Sequence, residues 1–168
     1  SARALAAAQR AWQAALANPA IYAPPGGVGG GPYDDTDVTD EFYWAAAELF
    51  VTTGAEQYET FVLSSPHHTG DIWTDRSFDW KHVAGLGRLD LAMVPTALPG
   101  RDAVRASVVA GANRYLAGLR ANPWGLAFNP ADNLFDWGSN NLVLNNLIVI
   151  ASAFDITNER AYRDAVIE

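Results

Sequence analysis

A chain of 168 residues with a net charge of −8 and a pI near 4.7 repels phosphate backbones and anionic membrane surfaces, so nucleic acid and membrane are excluded as partners and a neutral polysaccharide is not. Hydrophobic residues make up 49% and aromatics 11%, enough to bury a core at this length, so the chain is globular rather than disordered. The absence of cysteine removes both a disulfide framework and thiolate chemistry.

The alanine-rich stretch Ala2 to Leu16 predicts a helix with Leu5, Trp12 and Leu16 as its apolar stripe, ended by Asn18-Pro19. Arg3 and Arg10 interrupt it, and no apolar run reaches membrane-spanning length, so any export signal is expected upstream of Ser1. Pro24-Pro25-Gly26-Gly27 and Gly29-Gly30-Gly31 mark a loop. This loop feeds the stretch that organises the chain, in which an acidic, hydroxyl-rich segment, Thr36 to Glu41, opens an apolar helix from Phe42 to Thr53. Phe42, Ala45, Ala46 and Leu49 share one face, and few polar positions remain elsewhere, so the helix reads as buried on most sides. Gly54 supplies the left-handed residue that stops it, and a short helix from Ala55 to Leu63 follows. Residues 64–77 read as a loop. A helix opened by Ser77 or Asp79 then runs to Met93 and is stopped by Pro95. The helix from Arg101 to about Ala121 has Val104, Val108, Ala112, Tyr115 and Leu116 at core spacing. After a loop from Trp124 to Asp136, the segment from Ser139 to Ile156 is apolar nearly all round.

One pattern repeats. Thr53-Gly54 precedes Tyr58, and Thr157-Asn158 precedes Tyr162; each is a long apolar helix stopped by a residue tolerant of the left-handed region, with a tyrosine in the returning helix. Repeated hairpins of this kind describe a solenoid or a closed double ring, and all-round burial of residues 142–154 favours the ring.

Two kinds of side chain carry chemistry. Asp37, Asp40 and Glu41 lie within about a helical turn, a pattern that suits a hard cation such as calcium and equally suits capping and the positive end of a helix. The neighbouring acids Asp34 and Asp35 read as solvated, and His67-His68, with no third ligand nearby, as loop histidines beside a cleft. Pyranose rings have apolar faces that stack on indoles, and Tyr33, Trp73, Trp80, Trp124 and Trp137 all fall in predicted loops or at a helix start, where a flat ring stays open to a sugar. Trp12 and Trp44 fall inside helices and read as core. The amides of Asn140, Asn141, Asn145 and Asn146 are expected to satisfy buried backbone groups.

The run Asp40-Glu41-Phe42-Tyr43-Trp44-Ala45-Ala46-Ala47-Glu48-Leu49, closed by Thr53-Gly54 and Tyr58, resembles glycoside hydrolase family 9, mainly secreted cellulases. A second run resembles it in the family's order: Trp137-Gly138-Ser139-Asn140-Asn141, Val143-Leu144-Asn145-Asn146, Ala153-Phe154-Asp155, Thr157-Asn158 and Tyr162. The likeness spans essentially the whole chain but only a middle portion of the family's catalytic domain. It implies an all-α fold of (α/α)6 barrel-type helical hairpins, here a partial toroid over 1–168. It also implies an inverting β-1,4-glucan hydrolase, an endoglucanase of cellulose degradation acting on glucan or its oligosaccharides outside the cell, with no organic cofactor. Trp80 and Trp137 then match positions beside or in the cleft and are substrate-binding, with Tyr33 in a loop that lines it; Trp124 joins them from its loop position alone, and calcium at Asp37, Asp40 and Glu41 has a family precedent. The family's base lies in an Asp-Ala-Gly-Asp motif and its acid in an Asn-Glu motif. Asp102-Ala103 and Asp164-Ala165 continue into valine, and Asn158-Glu159 sits in a hairpin turn, so no catalytic residue is assigned. A non-catalytic carbohydrate-binding module or an α-solenoid interaction module is the alternative.

Overall fold

The computed structural model describes residues 1–22, 26, 34–135 and 137–167. Among these, all regular structure is helical: α1 (Ala2–Ala17), α2 (Thr39–Thr53), α3 (Glu56–Ser64), α4 (Pro66–Thr69), α5 (Ala84–Met93), α6 (Arg101–Ala121), α7 (Asn140–Thr157) and α8 (Arg160–Ile167).

Polar contacts fix the helix directions. Asp40 at the start of α2 accepts the Val83 N–H just before α5, and Trp44 further along α2 donates to Asp90 further along α5, so α2 and α5 run parallel. Arg101 at the start of α6 donates to the Leu91 and Ala92 carbonyls at the end of α5, and Arg105 donates to the Ile156 carbonyl at the end of α7. Helix α6 is therefore antiparallel to both, which makes α5 parallel to α7. Phe42 at the start of α2 lies 6.2 Å from Phe61 near the end of α3, so α3 returns antiparallel, and α8 folds back on α7 in the same way. Three parallel helices with antiparallel returns form an arc of hairpins, as the resemblance implies. Helix α1 is pinned by Trp12, whose ring stands edge-on to Phe42, Tyr58 and Phe61 at 5.0–5.8 Å.

The two predicted stops hold: Gly54 has φ +64° and Asn158 φ +60°. In α6 the five residues expected in the core are buried. Four expectations fail for identifiable reasons. The loop expected over residues 64–77 contains α4, opened by Pro66 and capped by the Ser65 hydroxyl, which accepts the His67 N–H. Helix α5 begins at Ala84, not at Ser77 or Asp79, because the Asp79 carboxylate takes the N–H groups of Lys81 and His82 and closes a turn instead. The indole of Trp73, placed in a loop, is only 3% exposed. It slots between α5 and α6 where two glycines leave room: a Cβ on Gly111 would sit 2.7 Å from its ring, and one on Gly85 3.3 Å. Helix α7 is not buried all round, because Leu144 and Ile148 are 60% and 48% exposed on a face that no described helix covers. No described helix is long and apolar enough to cross a membrane.

Candidate functional site

The connectivity brings the segments before α2, α5 and α7, and the one after α6, to the same end of the arc. A cavity of about 430 Å³ opens there, lined by polar groups including Asp40, His67, Asp71, Thr74, Arg76 and His82.

Its walls are built from three hydrogen-bonded units. In the first, Asp79 Oδ1 accepts from the Lys81 N–H at 2.9 Å and the His82 N–H at 2.8 Å and lies 2.9 Å from His82 Nδ1, while Arg76 reaches Oδ2 at 3.3 Å. Burial alone would raise the Asp79 carboxyl, but these N–H groups and the His82 ring hold it below its ordinary range. The turn they close carries Trp80. In the second, the fully buried Asn146 of α7 staples two loops, its Oδ1 accepting from the Ser77 N–H and its Nδ2 donating to the Asp75 and Ala127 carbonyls. Asn145 donates to the Phe78 carbonyl at 2.9 Å. Asn145 and Asn146 thus do what the sequence predicts, whereas Asn140 and Asn141, in the first turn of α7, are exposed and do not. In the third, Arg88 of α5, 2% exposed, donates to the Ser107 hydroxyl at 2.7 Å and to the carbonyls of His67 and Gly70, fixing the segment around α4. Sequence reasoning gives no role to Arg88, whose partners lie about 20 residues away on other elements.

The predicted aromatics divide. Trp80, Trp124 and Trp137 are 53%, 85% and 96% exposed, in loops that the connectivity puts at the cavity end, although none lines the cavity itself. Tyr33 lies outside the described residues.

The acids Asp37, Asp40 and Glu41 do not gather as three: Glu41 meets Asp40, and Asp37 turns to Thr39. Asp37 Oδ1 accepts from the Thr39 N–H at 3.0 Å and its hydroxyl at 2.7 Å, and these bonds, the backbone one foremost, hold its carboxyl below the ordinary range. Asp40 is buried and accepts from the Val83 N–H at 2.7 Å, capping the approach to α5. Burial, and then a hydrogen bond with Asp40, push Glu41 up to about 7. Among the described residues no three acidic or imidazole groups gather into a metal cage. Two carboxylate oxygens, Asp35 Oδ2 and Glu41 Oε2, are buried without a hydrogen-bond partner. The ion pair of Asp71 with Arg114, at 3.0 Å, is largely exposed on both sides and contributes little.

The chain is 50% identical over 166 residues to endoglucanase C of Cellulomonas fimi, an alignment covering 98% of this chain and 15% of that protein. It is 37% identical to a cellulose 1,4-beta-cellobiosidase of Acetivibrio thermocellus, covering 95% and 20%. A metagenome-derived glycoside hydrolase family 9 endoglucanase of known structure superposes with a TM-score of 0.83 at 27% identity, over 98% of this chain and 30% of that one. The chain thus spans less than a third of the length of these proteins. The family model for Glycosyl hydrolase family 9 matches residues 1–168, and the chain belongs to that family, its arc of hairpins being a portion of the (α/α)6 barrel.

Proposed function

We propose that residues 1–168 are one portion of a single catalytic domain that hydrolyses β-1,4-glucan outside the cell, and that this portion supplies the aromatic rim and polar wall of the substrate cleft. The reading is carried by one observation: the exposed indoles of Trp80, Trp124 and Trp137 stand at the end of the arc where the polar cavity opens. An indole left in water at a loop costs apolar exposure that a stacked sugar face relieves. Tyr33, outside the described residues, is proposed as substrate-binding from the sequence alone. The catalytic base and acid are assigned to segments other than this one, because Asp-Ala-Gly-Asp does not occur in it and its one Asn-Glu pair, Asn158-Glu159, sits in the turn between α7 and α8.

The test is hydrolysis of soluble cellulose by the full-length protein, with cello-oligosaccharide titration of Trp80→Ala and Trp137→Ala. Each substitution is expected to weaken binding by about 1–3 kcal/mol, the value of a lost stacking partner and its buried area. Unchanged affinity in both variants sinks the reading. The 168 residues alone are expected to give no turnover.

A structural calcium ion is a separate proposal, favoured by the two orphaned oxygens of Asp35 and Glu41. Lys81 Nζ, 3.8 Å from Asp35 Oδ1, supplies a competing cation there. A calcium-dependent rise in Tm that is reversed by chelator supports the ion, and a Tm indifferent to both removes it.

A further inference from the structure

The hydroxyl of Thr39 has one proton and two close neighbours. Asp37 Oδ1 lies 2.7 Å from Thr39 Oγ1, and His67 Nε2 lies 2.9 Å from it on the other side. An ionised carboxylate only accepts, so the Thr39 proton goes to Asp37. Thr39 Oγ1 is then the acceptor toward the ring, and His67 Nε2 must carry the hydrogen of their bond. The neutral ring is therefore the Nε2–H tautomer, with the lone pair on Nδ1. That nitrogen makes no hydrogen bond among the described residues, and the ring it belongs to lines the cavity.

The backbone behind the ring is fixed as firmly. Arg88 donates to the His67 and Gly70 carbonyls from a site 2% exposed, and its partners are carbonyl and hydroxyl oxygens, not a carboxylate. A buried guanidinium without a counter-ion is costly unless it is fully hydrogen-bonded, so this wall is held at some expense to stability. Ser107 Oγ, which Arg88 also reaches, takes the Trp73 indole N–H at 2.9 Å, tying the same wall to the core.

We propose that His67 is a substrate-recognising residue of the cleft, its Nδ1 accepting a hydrogen bond from a sugar hydroxyl while Asp37 and Thr39 act as positioning residues that set the tautomer. This rests on the glucan reading above. A fixed acceptor nitrogen selects a hydroxyl at one place on the ring and penalises a sugar that lacks it.

The test uses the full-length protein, titrated with cellopentaose by calorimetry, together with imidazole 1H–15N correlation spectra. His67→Ala and Thr39→Val are each expected to weaken binding about fivefold, the worth of one neutral hydrogen bond. The double variant should lose no more than either single one, because Thr39 acts only through the ring. Thr39→Ser, which keeps the hydroxyl, should bind as the parent does. In the spectra the parent ring should carry its proton on Nε2, and Thr39→Val should shift the ring toward a tautomer mixture. The inference is overturned if the parent ring is protonated on Nδ1, if His67→Ala binds as tightly as the parent, or if the two losses multiply in the double variant. Absence of any cellopentaose binding by the parent, with Trp80→Ala equally inert, overturns the glucan reading itself and this inference with it.

Discussion

Replacing Asn146 by leucine, a side chain of similar size, removes an amide that has no exposed surface and closes three hydrogen bonds. The bonds to the Ser77 N–H and the Ala127 carbonyl are buried, and the one to the Asp75 carbonyl is only partly so. A buried group left without a partner costs about 1–3 kcal/mol, whereas a group that water can reach costs under about 1. The added apolar burial of leucine returns about 1–2 kcal/mol. The expected net loss is about 2–4 kcal/mol. Urea unfolding monitored by circular dichroism gives the number, provided the m-value is unchanged. Asn145→Leu is the control: it gives up one partly buried bond, to the Phe78 carbonyl, and should cost under about 1.5 kcal/mol. If Asn146→Leu lies within about 1 kcal/mol of the parent, or costs no more than its neighbour, the stapling argument is wrong.

Two further predictions concern the helices. Gly111→Ala and Gly118→Ala are the same change on one helix and should have opposite signs. Each gains about 1 kcal/mol of helix propensity, but the first drives a Cβ to 2.7 Å from the locked Trp73 ring while the second meets only the movable Asn129 amide at 3.1 Å. Thermal unfolding should show Gly111→Ala destabilised by about 1–2 kcal/mol and Gly118→Ala neutral or stabilised; equal gains would refute the tight slot. The second prediction is a pH dependence. Burial first, and then the neighbouring Glu48, push Asp90 up to about 6. Between about pH 4 and 6 the folded carboxyl keeps a proton that the unfolded chain has released, so stability falls as pH rises through that window. Asp90→Asn should flatten this slope and raise Tm above pH 6, and an unchanged slope would refute the assignment.

What the sequence made legible was local. The glycine and asparagine stops, the core face of α6 and the duties of Asn145 and Asn146 follow from short-range pattern and from the known needs of buried backbone. What it hid depends on distant partners. The acids at the start of α2 read as one cluster because they are adjacent, yet Asp40 is drawn to a backbone N–H 43 residues away. His67 reads as an ordinary loop histidine because its partner Thr39 is 28 residues distant. Trp73 reads as a loop aromatic, since nothing in its own neighbourhood reveals that Gly111, on another helix, leaves a slot for it. Asp79 reads as an N-cap of α5, yet its carboxylate bonds within its own turn and the helix starts later, at Ala84.

The parallel course of α2, α5 and α7 sends the positive poles of three backbone dipoles toward one rim. Hydrogen bonds from Thr39 to Asp37, and from Lys81 and His82 to Asp79, add to that field and keep these two carboxyls ionised, whereas burial raises Glu41 beside them. An uncharged glucan feels no net pull or push from either the dipoles or the acids. On the glucan reading proposed above, association with this rim should therefore be nearly indifferent to ionic strength, with capture governed by diffusion and ring stacking rather than by long-range steering.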